Sequence, residues 1–315
     1  MNKKPIIFGI KGFKLTNKEK KFFKKNKPWG IILFSRNIKN IYQLKSLVDN
    51  IKKLFNDKKY PILIDQEGGR VSRLNKIIDL SLFSQQSFYK LFKKDKNLFL
   101  KYYKIYINTV CELLNDVGIN INTVPVLDIR TKKTHSIIGD RSFSSNPKII
   151  SLLGKICIQL YEKNKIFTVI KHIPGHGLAL CDSHHKTPII KANKKELIKN
   201  DFLPFKKCKS FFGMTAHAIY TKYDAKNTAT HSKIIINKVI RNIINFKGIL
   251  ISDDISMKSL RFTLQENAIK SLKAGCNLVL HCNGNINEML KLAKIIPYID
   301  KFTQKKTSQF YKFLG

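Results

Sequence analysis

The chain has 315 residues, 43% of them hydrophobic and set in dense, regularly spaced blocks, so it can bury a large core and disorder is excluded as its main state. Its formal charge is +38, from 59 Lys and Arg against 21 Asp and Glu. Nearly all of the cations are lysines, scattered over predicted helix faces beside abundant Ile and Asn; this is the pattern of AT-rich codon bias and solvated surface lysines, and it argues against a specific nucleic-acid site while allowing weak nonspecific attraction to polyanions.

In chain order, eight short β-branched runs read as strands: Pro5–Gly9, Gly30–Phe34, Pro61–Ile64, Asn122–Val126, Phe167–Ile170, Phe211–His217, Gly248–Ser252 and Asn277–Leu280. Most are apolar without alternation, as strands buried on both faces of a parallel sheet are. Helical spacing fills the intervals: Lys18–Lys25, Ile41–Leu54, Lys96–Leu114, Pro147–Tyr161, Lys195–Cys208, Ser232–Ile244, Leu264–Lys273 and Asn287–Ile295. Eight βα units predict a single (β/α)8 barrel over residues 1–300, followed by a C-terminal surface tail over 301–315. Periodicity alone leaves an open doubly wound sheet as the alternative, and the usual barrel length favours closure.

No apolar run is long enough for a membrane span, and the run Pro5–Ile10 is too short for a secretory signal. The six cysteines (Cys111, Cys157, Cys181, Cys208, Cys276, Cys282) form no CxxC pair and read as reduced thiols of a cytoplasmic protein.

The longest inserts follow the third, fourth and fifth predicted strands, at the end where barrel enzymes keep their chemistry. Unusual residues gather there. Asp65 to Arg73 follows the third strand, Asp128 and then Gly139–Phe143 the fourth, and Lys171–Gly177 with Asp182–His184 the fifth. The sixth strand ends in His217 and the seventh in Ser252, Asp253 and Asp254. Arg36, Arg70, Arg73 and Arg141 lie in or beside these segments, and an Arg in a chain so rich in Lys suggests a need for its planar fork. Each cluster alone could be a turn or cap. Five at the same end of successive strands suit a hydroxyl-rich ligand and glycosyl transfer.

The segments IDQEGGRVSRL, IGDRSF, KHIPGHG followed by DSH, MTAHAIY and ISDDISM, with PWGIILFSRN and AGCNLVLHCN, resemble the family 3 glycoside hydrolases, closest to the bacterial cytosolic β-N-acetylglucosaminidases of cell-wall recycling. The likeness runs from about residue 5 to residue 300, and GHG-x4-DSH is its most specific part. It implies a (β/α)8 barrel and a retaining exo-hydrolase that releases terminal GlcNAc from anhydro-muropeptides or related oligosaccharides. It also implies Asp253 as nucleophile, His184 as acid/base with Asp182 as its partner, and Asp65, Arg73, Arg141, Lys171 and His172 as sugar-binding residues. Two departures are Thr228, where the family often has Pro, and Asn277, where it has Asp; they bear on the sixth helix and eighth strand.

Alternation along an extended chain lets only one of Asp253 and Asp254 face the barrel mouth, and the resemblance chooses Asp253. Asp254 is then a structural or capping carboxylate. Asp182 and His184, two apart in an extended loop, would share a side, with His185 a bystander, and Gly175 and Gly177 would let the loop close over substrate. A zinc site built from His172, His176, Asp182, His184 and His185 fits no standard spacing, so neither metal nor cofactor is expected. Another β-glycosidase, a phosphorylase using the same intermediate, or a noncatalytic basic binding protein are the alternatives; oligomeric state is not legible.

Overall fold

Eight parallel strands close on themselves in sequence order: β1 (Lys4–Gly9), β2 (Pro28–Leu33), β3 (Ile62–Ile64), β4 (Ile121–Asn122), β5 (Phe167–Ile173), β6 (Phe212–Thr215), β7 (Ile249–Asp254) and β8 (Leu278–His281). The closure is explicit in β1, where Ile7 stands opposite Gly30 of β2 and Leu280 of β8. The structure is a computed structural model and describes residues 3–131, 134, 136–179 and 186–315.

The strands read as continuous apolar runs because both faces are buried, and the faces sort by parity. Ile7, Ile32, Leu63, Ile121, Val169, Met214, Ile251 and Leu280 pack into one cluster inside the barrel. Their neighbours Ile6, Ile31, Ile62, Ile170, Leu250 and Val279 pack outward with the helices. The helices begin where capping residues allow. Asn40 caps Ile41–Phe55, Asp95 caps Lys96–Val117, and Asn146 precedes Pro147 at the head of Pro147–Lys163. A small three-stranded sheet of Ile189–Ile190, Ile219–Tyr220 and Asp224–Thr228 lies in the connections that follow β5 and β6.

Four local expectations change. The insert after β3 contains a helix, Gln85–Lys94, capped by Ser84. The expected helix over Lys195–Cys208 breaks into Lys194–Lys199 and Phe202–Lys207, because Pro204 has no N–H for the carbonyl of Asn200 and its ring crowds that turn. The segment Ile235–Ile243 winds as a π-helix. The last fifteen residues, expected as a surface tail, are mostly exposed but not irregular. They form a helix, Lys301–Phe313, capped by Asp300. Its Phe310 is fully buried against Trp29, Phe167 and Phe212, with ring centroids 5.9, 4.8 and 6.1 Å away. Those three rings lie at the N-terminal ends of β2, β5 and β6, an apolar opening that would otherwise face water. Asn277 joins this helix to the barrel: its amide nitrogen donates to Thr303 Oγ1 at 3.0 Å, a bond an ionised Asp could not donate. Its Oδ1 accepts from Leu250 N and Arg241 at 2.9 and 3.0 Å.

The five described cysteines are free, four of them buried. No helix among the described residues is long and apolar enough to cross a membrane.

Candidate active site

Continuing the inward parity toward and beyond the C-terminal ends of the strands builds the mouth. Asp65 is two residues beyond Leu63, Thr123 two beyond Ile121, Lys171 two beyond Val169 and Asp253 two beyond Ile251. The first three meet directly. Lys171 Nζ lies 2.8 Å from Thr123 Oγ1 and 3.4 Å from Asp65 Oδ1, and Asp65 Oδ2 accepts from Arg73 at 3.2 Å. Thr123 also donates to Asp65. Burial would raise the Asp65 pKa, but Lys171 and Arg73 outweigh it and hold the carboxyl well below its ordinary range.

Glu67 fastens two elements of this wall. Arg141 grips it with two parallel bonds, Nε to Oε2 at 2.8 Å and a terminal nitrogen to Oε1 at 2.9 Å, and Lys171 Nζ lies 2.6 Å from Oε1. The Glu67 side chain is 2% exposed. Burial opposes its charge, yet Arg141 and Lys171 pull its pKa down to about 2. The same pairing pushes Arg141 further toward its charged form. Arg70 anchors the Gly139–Arg141 turn from outside through Asp140 at 3.0 Å and the carbonyls of Ser136 and Ile137 at 2.6 Å.

Asp128 organises the histidines. It is fully buried, and its carboxylate accepts from His172 N, from His176 N at 2.6 Å, and pairs with His172 Nδ1 at 2.7 Å. That fixes the His172 ring with Nε2 toward Asp253, 4.0 Å from Oδ2. Asp253 Oδ1 accepts from the N–H of Asp254 at 2.8 Å. Burial would raise the Asp253 pKa; His172 and His217 lead the groups that instead hold it below the ordinary carboxylate range, so it is ionised near neutral pH. His217 is buried and kept toward its neutral form; its Nε2 donates to the Asp254 carbonyl at 3.0 Å. The resulting cavity is about 240 Å³ and is lined by Asp65, Glu67, Arg141, Lys171, His172 and Asp253 among others.

Charged groups held by strands around one small cavity at the C-terminal barrel face are a sugar-sized, polar site. Residues 6–307 match the glycosyl hydrolase family 3 N-terminal domain. The chain belongs to glycosyl hydrolase family 3. A beta-hexosaminidase of Actinobacillus pleuropneumoniae serotype 3 is 35% identical over 286 residues, covering 88% of this chain and 81% of that relative. One of Photobacterium profundum is 31% identical over 325 residues, covering 98% and 92%. Native NagZ from Neisseria gonorrhoeae superposes with a TM-score of 0.88 at 29% identity, covering 99% of this chain and 90% of that one.

In this family 3 barrel, six of the eight sequence-predicted site residues lie in the described region, and all six, Asp65, Arg73, Arg141, Lys171, His172 and Asp253, line the cavity. Asp182 and His184 lie outside the described residues. Asp254 turns away as parity requires, and its carboxylate accepts from Ser256 N and Ser256 Oγ. Arg36 acts as a tie, donating to the carbonyls of Ile10 and Cys282. Sequence reasoning assigned no role to Glu67, Thr123 or Asp128. The signal for Glu67 was available: an acid on a strand-end Gly-Gly turn, near buried cations that need a counter-charge.

At both loop glycines a side chain would not fit. A Cβ on Gly177 would meet Ile129 O at 2.3 Å, and one on Gly175, whose φ is +135°, would meet Asp201 Cβ at 2.6 Å. They are small because the loop base is pressed against its surroundings on both sides.

Proposed function

We propose that the chain is a retaining exo-β-N-acetylglucosaminidase that removes terminal, non-reducing β-linked GlcNAc from peptidoglycan fragments such as GlcNAc-anhydro-muropeptides in the cytoplasm. The names of its relatives, beta-hexosaminidases, support the sugar class. The observation that carries the reading is the ionised Asp253 at the end of β7, beside a one-ring cavity in which Asp65, Glu67, Arg73, Arg141, Lys171 and His172 are already paired.

In this reading Asp253 attacks the anomeric carbon while the glycosidic oxygen takes a proton from His184, whose imidazolium Asp182 supports. The covalent glycosyl-Asp253 is then opened by water, with the neutral imidazole taking the water's proton. Asp65 accepts from ring hydroxyls, and Arg73 and Lys171 donate to them. Arg141, Lys171 and His172 stand near the N-acetyl-bearing ring. The short Glu67 contacts keep Arg141 and Lys171 in place before the sugar arrives, so little reorganisation is left for the reaction. Lys171 and His172 on β5 and Asp253 on β7 are strand-borne, which suits the tight positioning that displacement at carbon needs.

Turnover of an aryl β-N-acetylglucosaminide followed by NMR tests the whole scheme. Two displacements give β-GlcNAc as the first product, and a 5-fluoro glycosyl inhibitor labels Asp253. An initial α-anomer, or a label on Asp254, overturns the nucleophile assignment.

A further inference from the structure

Asp201 is an acid with no evident reason to be where it is. It is fully buried, and among the described residues neither carboxyl oxygen has a well-formed hydrogen bond. It precedes the helix Phe202–Lys207 without capping it. Its side chain turns instead to the back of the loop that leaves β5. There it touches the place where Gly175 has no Cβ, and the N–H groups of Gly177 and Leu178 are the contacts that favour its charge. Burial, with Asp128 and Glu196 nearby, outweighs them and pushes Asp201 well above the usual carboxyl range.

The loop base is thus held from two sides. In front, Asp128 accepts from His176 N at 2.6 Å. Further contacts come from Tyr220, whose hydroxyl donates to the Gly175 carbonyl, and Thr134, which donates to the Gly177 carbonyl at 2.6 Å. Behind lies Asp201. The same loop continues in sequence to Asp182 and His184, three and five residues beyond Ala179. A buried acid with no cation beside it among the described residues is costly, and such groups are retained where their hydrogen-bonding capacity is used.

We propose that Asp201 is a positioning residue for proton transfer: its carboxyl, set behind Gly175 to Leu178, fixes the path by which the chain leaves the barrel toward Asp182 and His184. This rests on the acid/base reading above. It assigns Asp201 no contact with substrate. A shift of the loop base by about 1 Å would displace the proton donor and cost up to about 10²-fold, without disturbing the sugar-binding wall on β3 and β5.

The test compares kcat/KM on two aryl β-N-acetylglucosaminides, one with a very acidic phenol that departs unaided and one with a poor leaving group that needs the proton. Asp201→Leu keeps the volume and removes the acceptor; Asp201→Asn keeps an acceptor. Asp201→Leu loses about tenfold or more on the poor leaving group and little on the good one, with KM nearly unchanged, and Asp201→Asn stays close to wild type on both. Gly175→Ala, which drives a Cβ against Asp201 from the other side, gives the same selective loss and decides the matter if Asp201→Leu does not fold. His184→Ala is the reference. If it shows no leaving-group dependence, the acid/base reading itself has failed. If it does and the folded Asp201 and Gly175 variants lose equally on both substrates, Asp201 is packing only and the inference is overturned. An Asp201→Asn protein as poor as Asp201→Leu overturns it as well.

Discussion

The two ends of the barrel use the same inward-facing positions for opposite chemistry. At the floor, Trp29, Phe167 and Phe212 meet Phe310 of the last helix, and the interior is aromatic and apolar. At the mouth, two to four residues further along the same kind of strand, the inward positions carry Asp65, Lys171 and Asp253 with Glu67 and Arg141 behind them. Burial is favourable at the floor and opposed at the mouth, where each carboxylate stays ionised only because cations or histidines face it. Stability and function are therefore separable along the barrel axis. The floor should tolerate no loss of volume, and the mouth no loss of a counter-charge.

Glu67→Gln should break the mouth most sharply short of replacing Asp253, the proposed nucleophile. It leaves Arg141 and Lys171 buried with one fewer negative partner, at a cost of about 3–5 kcal/mol. With both cations free to shift, kcat/KM should fall by about 10²-fold, mainly through KM. The pH dependence gives a second handle. The Glu67 pKa is depressed in the folded protein, to about 2, below an unfolded value of about 4.3. Its contribution is therefore fully present above the unfolded value and lost as pH falls through the folded one. Unfolding followed between about pH 4.5 and 2 should be steeper for wild type than for Glu67→Gln. Equal slopes would mean that the carboxylate is not held as the geometry indicates.

Phe310→Ala makes the complementary break. Removing the plug leaves a cavity between three aromatic rings and should cost about 3–5 kcal/mol, read as a lower Tm. Activity per folded molecule should stay within about twofold of wild type, because no contact of the mouth is touched. A folded Phe310→Ala protein with a strongly reduced kcat would show that floor and mouth are coupled and that the comparison above is too simple.

The two ends also differ in how well sequence reveals them. The eight strands were legible because burial on both faces leaves an unmistakable apolar run; alternation set Asp253 and Asp254 on opposite sides, and the family resemblance chose Asp253 for the inside. The floor was not. Phe310 sits in a Lys-, Gln- and Thr-rich stretch whose buried stripe includes Thr303 and Thr307, so its helical period is masked by polar residues. The helix Gln85–Lys94 was hidden for a related reason, inside an insert that begins with turn residues. At the mouth, the residues proposed to meet the sugar were legible through their motifs, and they line the cavity. Glu67, Asp128 and Asp201 were not, because they act through other side chains or through backbone N–H groups, and such partners are set by tertiary contact and not by spacing.

The smallest expected effect concerns the outer surface, where the +38 charge resides. The cations of the mouth are paired: Lys171 with Glu67 and Asp65, Arg141 with Glu67, Arg73 with Asp65. Pairs so placed are screened little by salt, whereas exposed lysines lose their reach as the Debye length shrinks from about 30 Å at 0.01 M to about 8 Å at 0.15 M. A neutral aryl substrate feels only the mouth, so its kcat/KM should change by less than about twofold across that range. A substrate bearing an acidic peptide is drawn in by the whole surface, and its kcat/KM should fall by about severalfold, through association and with kcat unchanged. Measuring both substrates at both salt concentrations separates the two regions in one experiment. A steep loss with the neutral substrate would place functional charge outside the paired network, and the scattered lysines could no longer be read as background.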